Sequence, residues 1–192
     1  AVEHDLLGAA HSVAQHQPAV VCILGTGSSA CVYDGQRITH TRGANGYLFA
    51  DWGAGVDIGR RLLDALLDGD LPPVLTTHFV QAFGELPIAF RLRVYQATER
   101  PNFVVAQLAS FAQMYIDIPE VTALVSSCFG QFVRRVAVPL ARGPEYPFRA
   151  LGSVAAAFQP LLSAEFAAQG LVLASVTADP LPGLLAYHQA QG

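Results

Sequence analysis

A short loop of glycines and hydroxyl residues follows the first apolar strand of the sequence. Residues 20–24 are apolar, and Gly-Thr-Gly-Ser-Ser at 25–29 comes directly after them. Glycines let the main chain approach a ligand closely, and successive exposed N–H groups, helped by the Thr26 and Ser28 hydroxyls, form a concavity for anions. Because a second strand follows at once, the loop matches neither the Rossmann nor the Walker pattern, which both require a helix there. A phosphate-binding hairpin and a plain tight turn both stay open.

A second segment of small residues, Gly152-Ser153-Val154, lies at a predicted junction between a strand and a helix. A helix N-terminus readily binds phosphates and nucleosides, so this junction is a candidate nucleotide contact. An ordinary helix start capped by Ser153 is the alternative. The presence of two such segments in one mixed α/β domain favours a nucleotide held between them.

Two aspartates have positions that could support chemistry. Asp51 lies among apolar residues and glycines in LFADWGAG, where a carboxylate is hard to solvate, so we expect it to be paired or to bind a ligand. Asp5 lies at the predicted start of the first helix, where an acid also serves as a simple cap. Trp52 either lines a ligand face or packs in the core. None of the six histidines has the i, i+4 spacing of a helical zinc pair.

The composition indicates one globular domain. The chain has 192 residues, of which 52% are hydrophobic and 14% charged, and its formal net charge is -4. With 11 Lys and Arg residues, it lacks the basic stripe of a nucleic-acid surface. No apolar run reaches the ~18 residues of a membrane span, and no basic-then-apolar signal segment opens the sequence. We therefore predict a cytoplasmic protein with no nucleic-acid and no membrane partner.

Three cysteines, Cys22, Cys31 and Cys128, form an odd set without metal-ligand spacing. A hairpin centred between Thr26 and Gly27 would place Cys22 opposite Cys31 on one face of the sheet, where a disulfide is conceivable. In a cytoplasmic protein, reduced thiols in the core are favoured instead.

Hydrophobic periodicity predicts a mixed α/β domain that three antiparallel strands open and that carries a helical insertion at about 72–142. Strands are predicted at 20–24, 30–33, 36–41, 148–151 and 171–176, with a hairpin turn at Asp34-Gly35. Helices are predicted at 5–15, 56–67, 73–83, 87–98, 102–114, 119–141 and 153–170, and at the end of the chain. In helix 56–67 we expect Arg60 and Arg61 to face outward.

Taken in order, these segments resemble the C-terminal portion of the N-acetylglucosamine kinase and BadF/BadG/BcrA/BcrD-type ATPase family, within the actin/hexokinase/Hsp70 superfamily. The resemblance implies a ribonuclease H-like, actin/hexokinase-type ATPase domain over residues 1–192. It implies ATP and Mg2+ as cofactors and a small-molecule sugar as the acceptor. The implied reaction is phosphoryl transfer from ATP to an amino sugar such as N-acetylglucosamine.

Several segments carry this resemblance. EHDLLGAA resembles the segment of the family's catalytic aspartate, which implies Asp5 as the general base. CILGTGSSACVYDG resembles the second phosphate loop, GANGYLFADWGAGVDIG the region that holds the sugar, LGSVAAAF the adenosine segment, and DPLPGLLAYH the closing helix. The implied phosphate and nucleotide contacts are Gly25, Thr26, Gly27, Ser28, Gly152 and Ser153. The implied sugar contacts are Asn45, Gly46, Tyr47 and Asp51.

The sequence departs from this family in two places. The family's Gly-Asp-Glu-Gly core reads Ala50-Asp51-Trp52-Gly53 here, so Trp52 stands where the family has a glutamate. The N-terminal domain, with its Asp-Gly-Gly-Gly-Thr-type first phosphate loop, is absent from this chain. We therefore expect the parent protein to be a kinase, and this chain alone to bind nucleotide weakly without turnover.

Two other functions stay open. An ATPase that activates a dehydratase or reductase shares an iron–sulfur cluster between subunits and needs exposed, clustered cysteines, whereas Cys22 and Cys31 are predicted in strands. A non-catalytic binding or assembly module would use the helical insertion, for example in a homodimer formed through FVRRVAVPLA at 132–141.

Overall fold

A five-stranded mixed sheet, in the order β3-β2-β1-β4-β5, is the frame of the fold. The computed structural model describes residues 5–44, 46–48, 51–97, 100–141 and 145–190. The strands are β1 (Ala19–Leu24), β2 (Ser28–Tyr33), β3 (Ile38–Gly43), β4 (Phe148–Leu151) and β5 (Leu173–Thr177). β1, β2 and β3 pair antiparallel, while β1, β4 and β5 run parallel to one another. The prediction of three antiparallel opening strands is confirmed.

The turn between β1 and β2 has three residues, which shifts the predicted register by one. Leu24 pairs with Ser28, so the hairpin is centred on Thr26, and Cys22 and Cys31 are one register position apart. Because successive side chains of a strand alternate between faces, the prediction that these two cysteines share a face is wrong. All three cysteines are buried free thiols, as expected.

Helices cover both faces of the sheet. α1 (Asp5–Ala14) packs on β1, β2 and β4, and α11 (Leu181–Gln189) packs on α1. The other face is covered by α2 (Gly55–Asp68), α3 (Pro73–Phe83), α4 (Pro87–Gln96), α5 (Pro101–Ala106), α6 (Leu108–Met114), α7 (Pro119–Phe132), α8 (Val138–Leu140), α9 (Ser153–Ala157) and α10 (Gln159–Ala168). The larger core lies on this second face, where Cys22 and Leu24 of β1 meet the helices, while Val21 faces α1.

Helix α2 begins next to the glycine loop. Its packing on the core fixes the position of the residues around its first turn. Ile58, Leu62 and Leu66 recur at helical spacing and are buried against the core. Gly69 ends the helix in the left-handed conformation, with a φ of 78°, and its amide donates to the Ala65 carbonyl.

The predicted helix over 119–141 changes its winding part of the way along. α7 is followed by a π-helical stretch, Val133–Ala137, and then by α8. The apolar side chains that are buried in the chain's own core here are Phe132, Val133, Val136 and Leu140. Because the chain's own core already covers these side chains, they are not free to form a dimer contact, and the homodimer stays a prediction.

Several other elements differ from the sequence-based prediction, including the strand predicted at 36–41, which lies at Ile38–Gly43. Helix 102–114 is interrupted at Gln107, which gives α5 and α6, and β5 begins at Leu173. Helix 153–170 is divided at Phe158, and each part is short.

None of the helices in the described ranges has the length and apolar character needed to cross a lipid bilayer.

Candidate functional site

The glycine loop turns its carbonyl groups toward the start of α2. The Gly55 amide donates to the Gly25 carbonyl at 2.8 Å, and the Val56 amide donates to the Thr26 carbonyl at 3.2 Å. These bonds satisfy two of the amides that the first turn of a helix leaves without an intrahelical partner. The backbone amides of Thr26 and Gly27 donate no hydrogen bond within the part of the chain that the structure describes. The tip of the loop therefore presents main-chain donors, which is the property that an anion site requires.

Gly152 brings the second small-residue segment directly against this loop. Its φ is 126° and its ψ 160°, a conformation open essentially to glycine alone. A Cβ at this position would lie 2.3 Å from the Leu24 carbonyl oxygen, so a side chain would force β1 and β4 apart. Because both strands end here and run parallel, the loop and the start of α9 meet at one edge of the sheet.

The prediction that Ser153 is an N-cap is wrong. Gly152 occupies the N-cap position, Ser153 is the first helical residue and is exposed, and the Ser153 side chain makes no capping hydrogen bond. α9 ends after five residues, so its macrodipole is weak. Any contact of Ser153 with a ligand therefore depends on its exposed position beside the glycine loop and not on capping of α9.

An open pocket of about 150 Å³ lies between these two segments and α6. The glycine loop, the start of α2 and the start of α9 form three of its sides, and the Phe158 ring forms an apolar part of its wall. The full lining is Gly25, Thr26, Gly55, Ala106, Ala109, Ser110, Gln113, Ser153, Val154, Ala157 and Phe158. Since none of these residues carries a charge, main-chain groups and small polar side chains set its chemistry. We call it the loop pocket.

Asp51 touches the glycine loop from the other side. The Ser28 amide donates to Asp51 Oδ1 at 3.4 Å, and the Ser28 hydroxyl donates to the Trp52 carbonyl at 2.8 Å. A Cβ at Gly27 would lie 3.0 Å from Asp51 Oδ2. Burial raises the pKa of Asp51, the bond from Ser28 opposes that shift, and the nearby Asp57 carboxylate adds to it. Asp51 thus accepts a hydrogen bond from the protein itself, and its role in binding a ligand stays a prediction.

Asp57 is a buried carboxylate that our sequence analysis missed. Its side chain is only 4% exposed. Its Oδ2 accepts the Gly53 amide at 3.0 Å, and its Oδ1 accepts Arg60 at 3.1 Å and Arg61 at 3.0 Å. The prediction that Arg61 faces outward is therefore wrong, because it turns back to this carboxylate. Arginines three and four residues after an acid on a helix were the signal that could have revealed the cluster.

A smaller pocket of about 60 Å³ lies around Asp51. Its lining is Tyr47, Leu48, Asp51, Trp52, Val56, Asp57 and Arg60. Trp52 both lines this pocket and packs against the core, and the Arg135 guanidinium lies 4.6 Å from the centre of its ring. The interpretation that Trp52 packs in the core is therefore confirmed, and its role in a ligand face stays a prediction. We call this cavity the aspartate pocket.

An apolar groove of about 300 Å³ adjoins the aspartate pocket. The two cavities share four lining residues, namely Tyr47, Leu48, Val56 and Arg60. The groove continues between α2, α4 and α5, with Tyr95 exposed at its edge.

The remaining predicted site residues lie at the margins of this region. Gly46 is exposed in the loop before α2, next to Tyr47, and Asn45 lies outside the described residues. Asp5 is the exposed first residue of α1. Because a short connection joins α1 to β1 and the two pack on each other, we infer that they run in opposite directions and that Asp5 lies toward the loop end of the sheet. Asp5 lines neither the loop pocket nor the aspartate pocket.

The cysteines do not form a cluster site. Burial raises the pKa of Cys31 to about 11 and that of Cys128 to about 12, and burial also raises the pKa of Cys22. Within the described ranges, no three His, Cys, Asp or Glu side chains come together in a way that could hold a metal ion. These buried thiols do not offer the exposed ligands that a shared iron–sulfur cluster requires.

Comparison with known proteins gives structural matches only. No family model matches the chain, and no curated protein matches its sequence. A candidate N-acetylglucosamine kinase of Porphyromonas gingivalis is 34% identical, with a TM-score of 0.91 over 97% of this chain and 65% of that one. A second candidate N-acetylglucosamine kinase, from Chromobacterium violaceum, is 26% identical, with a TM-score of 0.68 over 95% of this chain and 62% of that one.

The chain thus spans somewhat less than two thirds of the length of the two structures that it resembles. Within that span, the high structural agreement with the first structure covers the mixed sheet and the helices around it. The chain therefore has the α/β fold of actin/hexokinase-type ATPase domains, as predicted.

Proposed function

We propose that this chain is the nucleotide-binding part of a kinase that transfers a phosphoryl group from ATP to an amino sugar such as N-acetylglucosamine. In this proposal, the loop pocket receives the nucleotide and the aspartate pocket receives the sugar. Gly55 lines the loop pocket, and Val56 and Asp57 line the aspartate pocket, so both pockets adjoin the first turn of α2. The likeness to two candidate N-acetylglucosamine kinases supports this assignment.

The observation that carries the proposal is the glycine at position 25. A Cβ there would meet no atom within 4 Å, and the backbone lies outside the left-handed region, so neither packing nor conformation requires a glycine. Gly25 nevertheless lines the loop pocket. A bare main chain at this point is explained if a ligand must approach it closely. The donors at Thr26 and Gly27 make a polyphosphate the natural ligand.

The loop pocket suits the less charged part of a nucleotide. Phe158, Val154 and three alanines give it an apolar wall, while Ser110, Gln113 and Ser153 supply polar groups at its edge. Binding sites for cofactors commonly combine an apolar lining with a few such polar groups. An adenosine in this pocket would extend its phosphates toward Thr26 and Gly27. ATP would bind as its Mg2+ complex, in which the cation would offset part of the phosphate charge.

Nucleotide binding by the 192-residue chain is the primary test. Isothermal titration with Mg2+ and a non-hydrolysable ATP analogue should give a one-to-one complex, and ADP should compete for it. GTP and pyrophosphate serve as comparison ligands, since an adenosine site should favour the adenine nucleotides. Absence of binding for both ADP and the ATP analogue at millimolar concentration would contradict the proposal.

Asp5 is proposed as the general base that accepts the proton of the sugar hydroxyl. In Asp5→Asn we expect the rate of phosphoryl transfer to fall by about 100- to 10,000-fold, since this is the usual contribution of a positioned base. The affinity for the ATP analogue should not change, because Asp5 is outside the loop pocket. Single-turnover transfer of labelled phosphate by the parent protein measures this rate, because this chain alone is expected to bind nucleotide without turnover. Transfer by Asp5→Asn at the wild-type rate would remove Asp5 from the mechanism.

A further inference from the structure

We propose that Arg60 binds the acceptor in the aspartate pocket and that Asp57 is the positioning residue that holds Arg60 there. This inference rests on the proposed function, because it assigns the sugar to that pocket. The sugar contacts that the resemblance implies include neither residue, although Asp57 lies within the segment GANGYLFADWGAGVDIG. Both residues belong to a cluster in which one buried carboxylate orients two neighbouring arginines.

Arg60 and Arg61 share an anchor but differ in exposure. Both donate to Oδ1 of Asp57, at 3.1 Å and 3.0 Å. The Arg60 side chain is 60% exposed and lines both the aspartate pocket and the apolar groove. The Arg61 side chain is 25% exposed and is not among the described residues that line either cavity. A guanidinium has five N–H donors, so Arg60 keeps donors for a ligand after it has bonded to Asp57.

The same carboxylate also fixes the turn that carries Asp51. Oδ2 of Asp57 accepts the amide of Gly53, whose φ is 70°. A Cβ at Gly53 would lie 2.9 Å from Cβ of Phe132, so this turn is packed tightly on α7. Asp57 therefore joins the Asp51 turn and the Arg60 side chain into one unit. An acceptor-binding carboxylate and an acceptor-binding guanidinium are held at a fixed distance on one wall of the pocket.

The chemistry of this wall defines the class of acceptor. The Asp51 carboxylate accepts hydrogen bonds from hydroxyl groups, and Arg60 donates to an oxygen that is a good acceptor. The Tyr47 and Trp52 rings, which also line the pocket, suit the apolar face of a sugar ring. The pocket thus fits a hexose whose substituent carries a carbonyl or carboxylate oxygen, such as an acylamino group. A plain hexose would satisfy Asp51 but would leave Arg60 with weaker partners.

The two arginines provide a matched pair of variants. Arg60→Gln and Arg61→Gln each remove one guanidinium from Asp57, and Arg61→Gln should reduce thermal stability more, because its side chain is the less exposed of the two. Only Arg60→Gln should weaken N-acetylglucosamine binding, by about 10-fold or more, as expected for loss of a hydrogen bond from a charged group. Calorimetric titration of the sugar, with the ATP analogue present, measures both affinities. The Arg60→Gln effect should be smaller for glucose, which lacks the acylamino carbonyl.

The outcomes separate this inference from the proposed function. An equal loss of sugar affinity in Arg60→Gln and Arg61→Gln would show a purely structural role for the cluster and overturn the inference. Unchanged sugar binding in Arg60→Gln, or no sugar binding by the wild-type chain, would also overturn it. Titration of the ATP analogue alone reports on the nucleotide site, so its failure would contradict the proposed function instead. Arg60→Lys should recover part of the sugar affinity if Arg60 donates directly to the acceptor.

Discussion

The two pockets beside the start of α2 are built in different ways. The loop pocket is lined by glycines, small residues and one aromatic ring, without a charged side chain. The aspartate pocket, which begins one residue further along α2, is lined by two carboxylates, a guanidinium and two aromatic rings. Main-chain geometry therefore sets the chemistry of the first pocket, and pairing between side chains sets that of the second.

This difference determines how each pocket tolerates substitution. The loop pocket depends on glycines that leave the main chain bare, so replacing a glycine with alanine tests it. The aspartate pocket depends on ion pairs and hydrogen bonds between charged side chains, so removing one partner tests it. Of the two ligands, variants of the first kind should affect the nucleotide, and variants of the second kind should affect the sugar.

The largest effect should come from Gly152→Ala. The left-handed φ of 126° and the 2.3 Å approach to the Leu24 carbonyl should together reduce the free energy of unfolding by about 2 to 4 kcal/mol. Because this contact joins the two sides of the loop pocket, nucleotide affinity should also fall by about 10-fold or more, or 1.4 kcal/mol per decade. Urea unfolding and calorimetric titration measure the two quantities. Wild-type stability in Gly152→Ala would contradict the described packing.

Gly25→Ala should separate binding from stability. The added Cβ meets no protein atom, so the free energy of unfolding should change by no more than about 0.5 kcal/mol. Nucleotide affinity should nevertheless fall by about 10-fold, because the methyl group stands where the ligand approaches. Gly8→Ala is the matched control, since Gly8 also has open space around it but lies in α1, away from both pockets. Wild-type nucleotide affinity in Gly25→Ala would favour the plain tight turn.

The smallest effect should come from Asp51→Asn and should depend on pH. Because burial raises the pKa of Asp51, the folded state binds this proton more tightly than the unfolded state does. The resulting stabilisation is present at low pH and is lost as pH rises through the folded-state pKa. Asp51→Asn removes this dependence, so its melting temperature relative to wild type should rise between about pH 3 and pH 7. Thermal unfolding across this range measures the difference, and a constant difference would contradict a raised pKa.

The sequence was most informative at its glycines. The backbone conformation requires a glycine at position 152, whereas neither conformation nor packing requires one at position 25. Gly152 and the loop at 25–28 were singled out from residue type alone, and the fold brings them to one pocket although they are far apart in the chain. The alternation and turn signals also located the three opening strands. These features depend on local backbone preferences, which short stretches of sequence determine.

Features that depend on long-range packing were not predictable in the same way. The one-residue shift that separates Cys22 from Cys31 follows from the three-residue turn, which glycine-rich sequences do not specify. Asp57 resembles an ordinary exposed helix acid until the Gly53 turn and two arginines fold onto it. Most apolar side chains of the segment at 132–141 are buried in the chain's own core, which the local sequence does not reveal. In each case a tertiary contact decided between two locally acceptable structures.

The central claim is that the 25–28 loop and the start of α9 bind the same nucleotide. Backbone amide NMR spectra recorded during titration with Mg2+ and a non-hydrolysable ATP analogue test it most directly. We predict that the amides of Thr26, Gly27, Ser153 and Val154 shift together with a single dissociation constant, while those of α11 do not move. Shifts that leave either the loop or the start of α9 unaffected, or that fit two different dissociation constants, would contradict it.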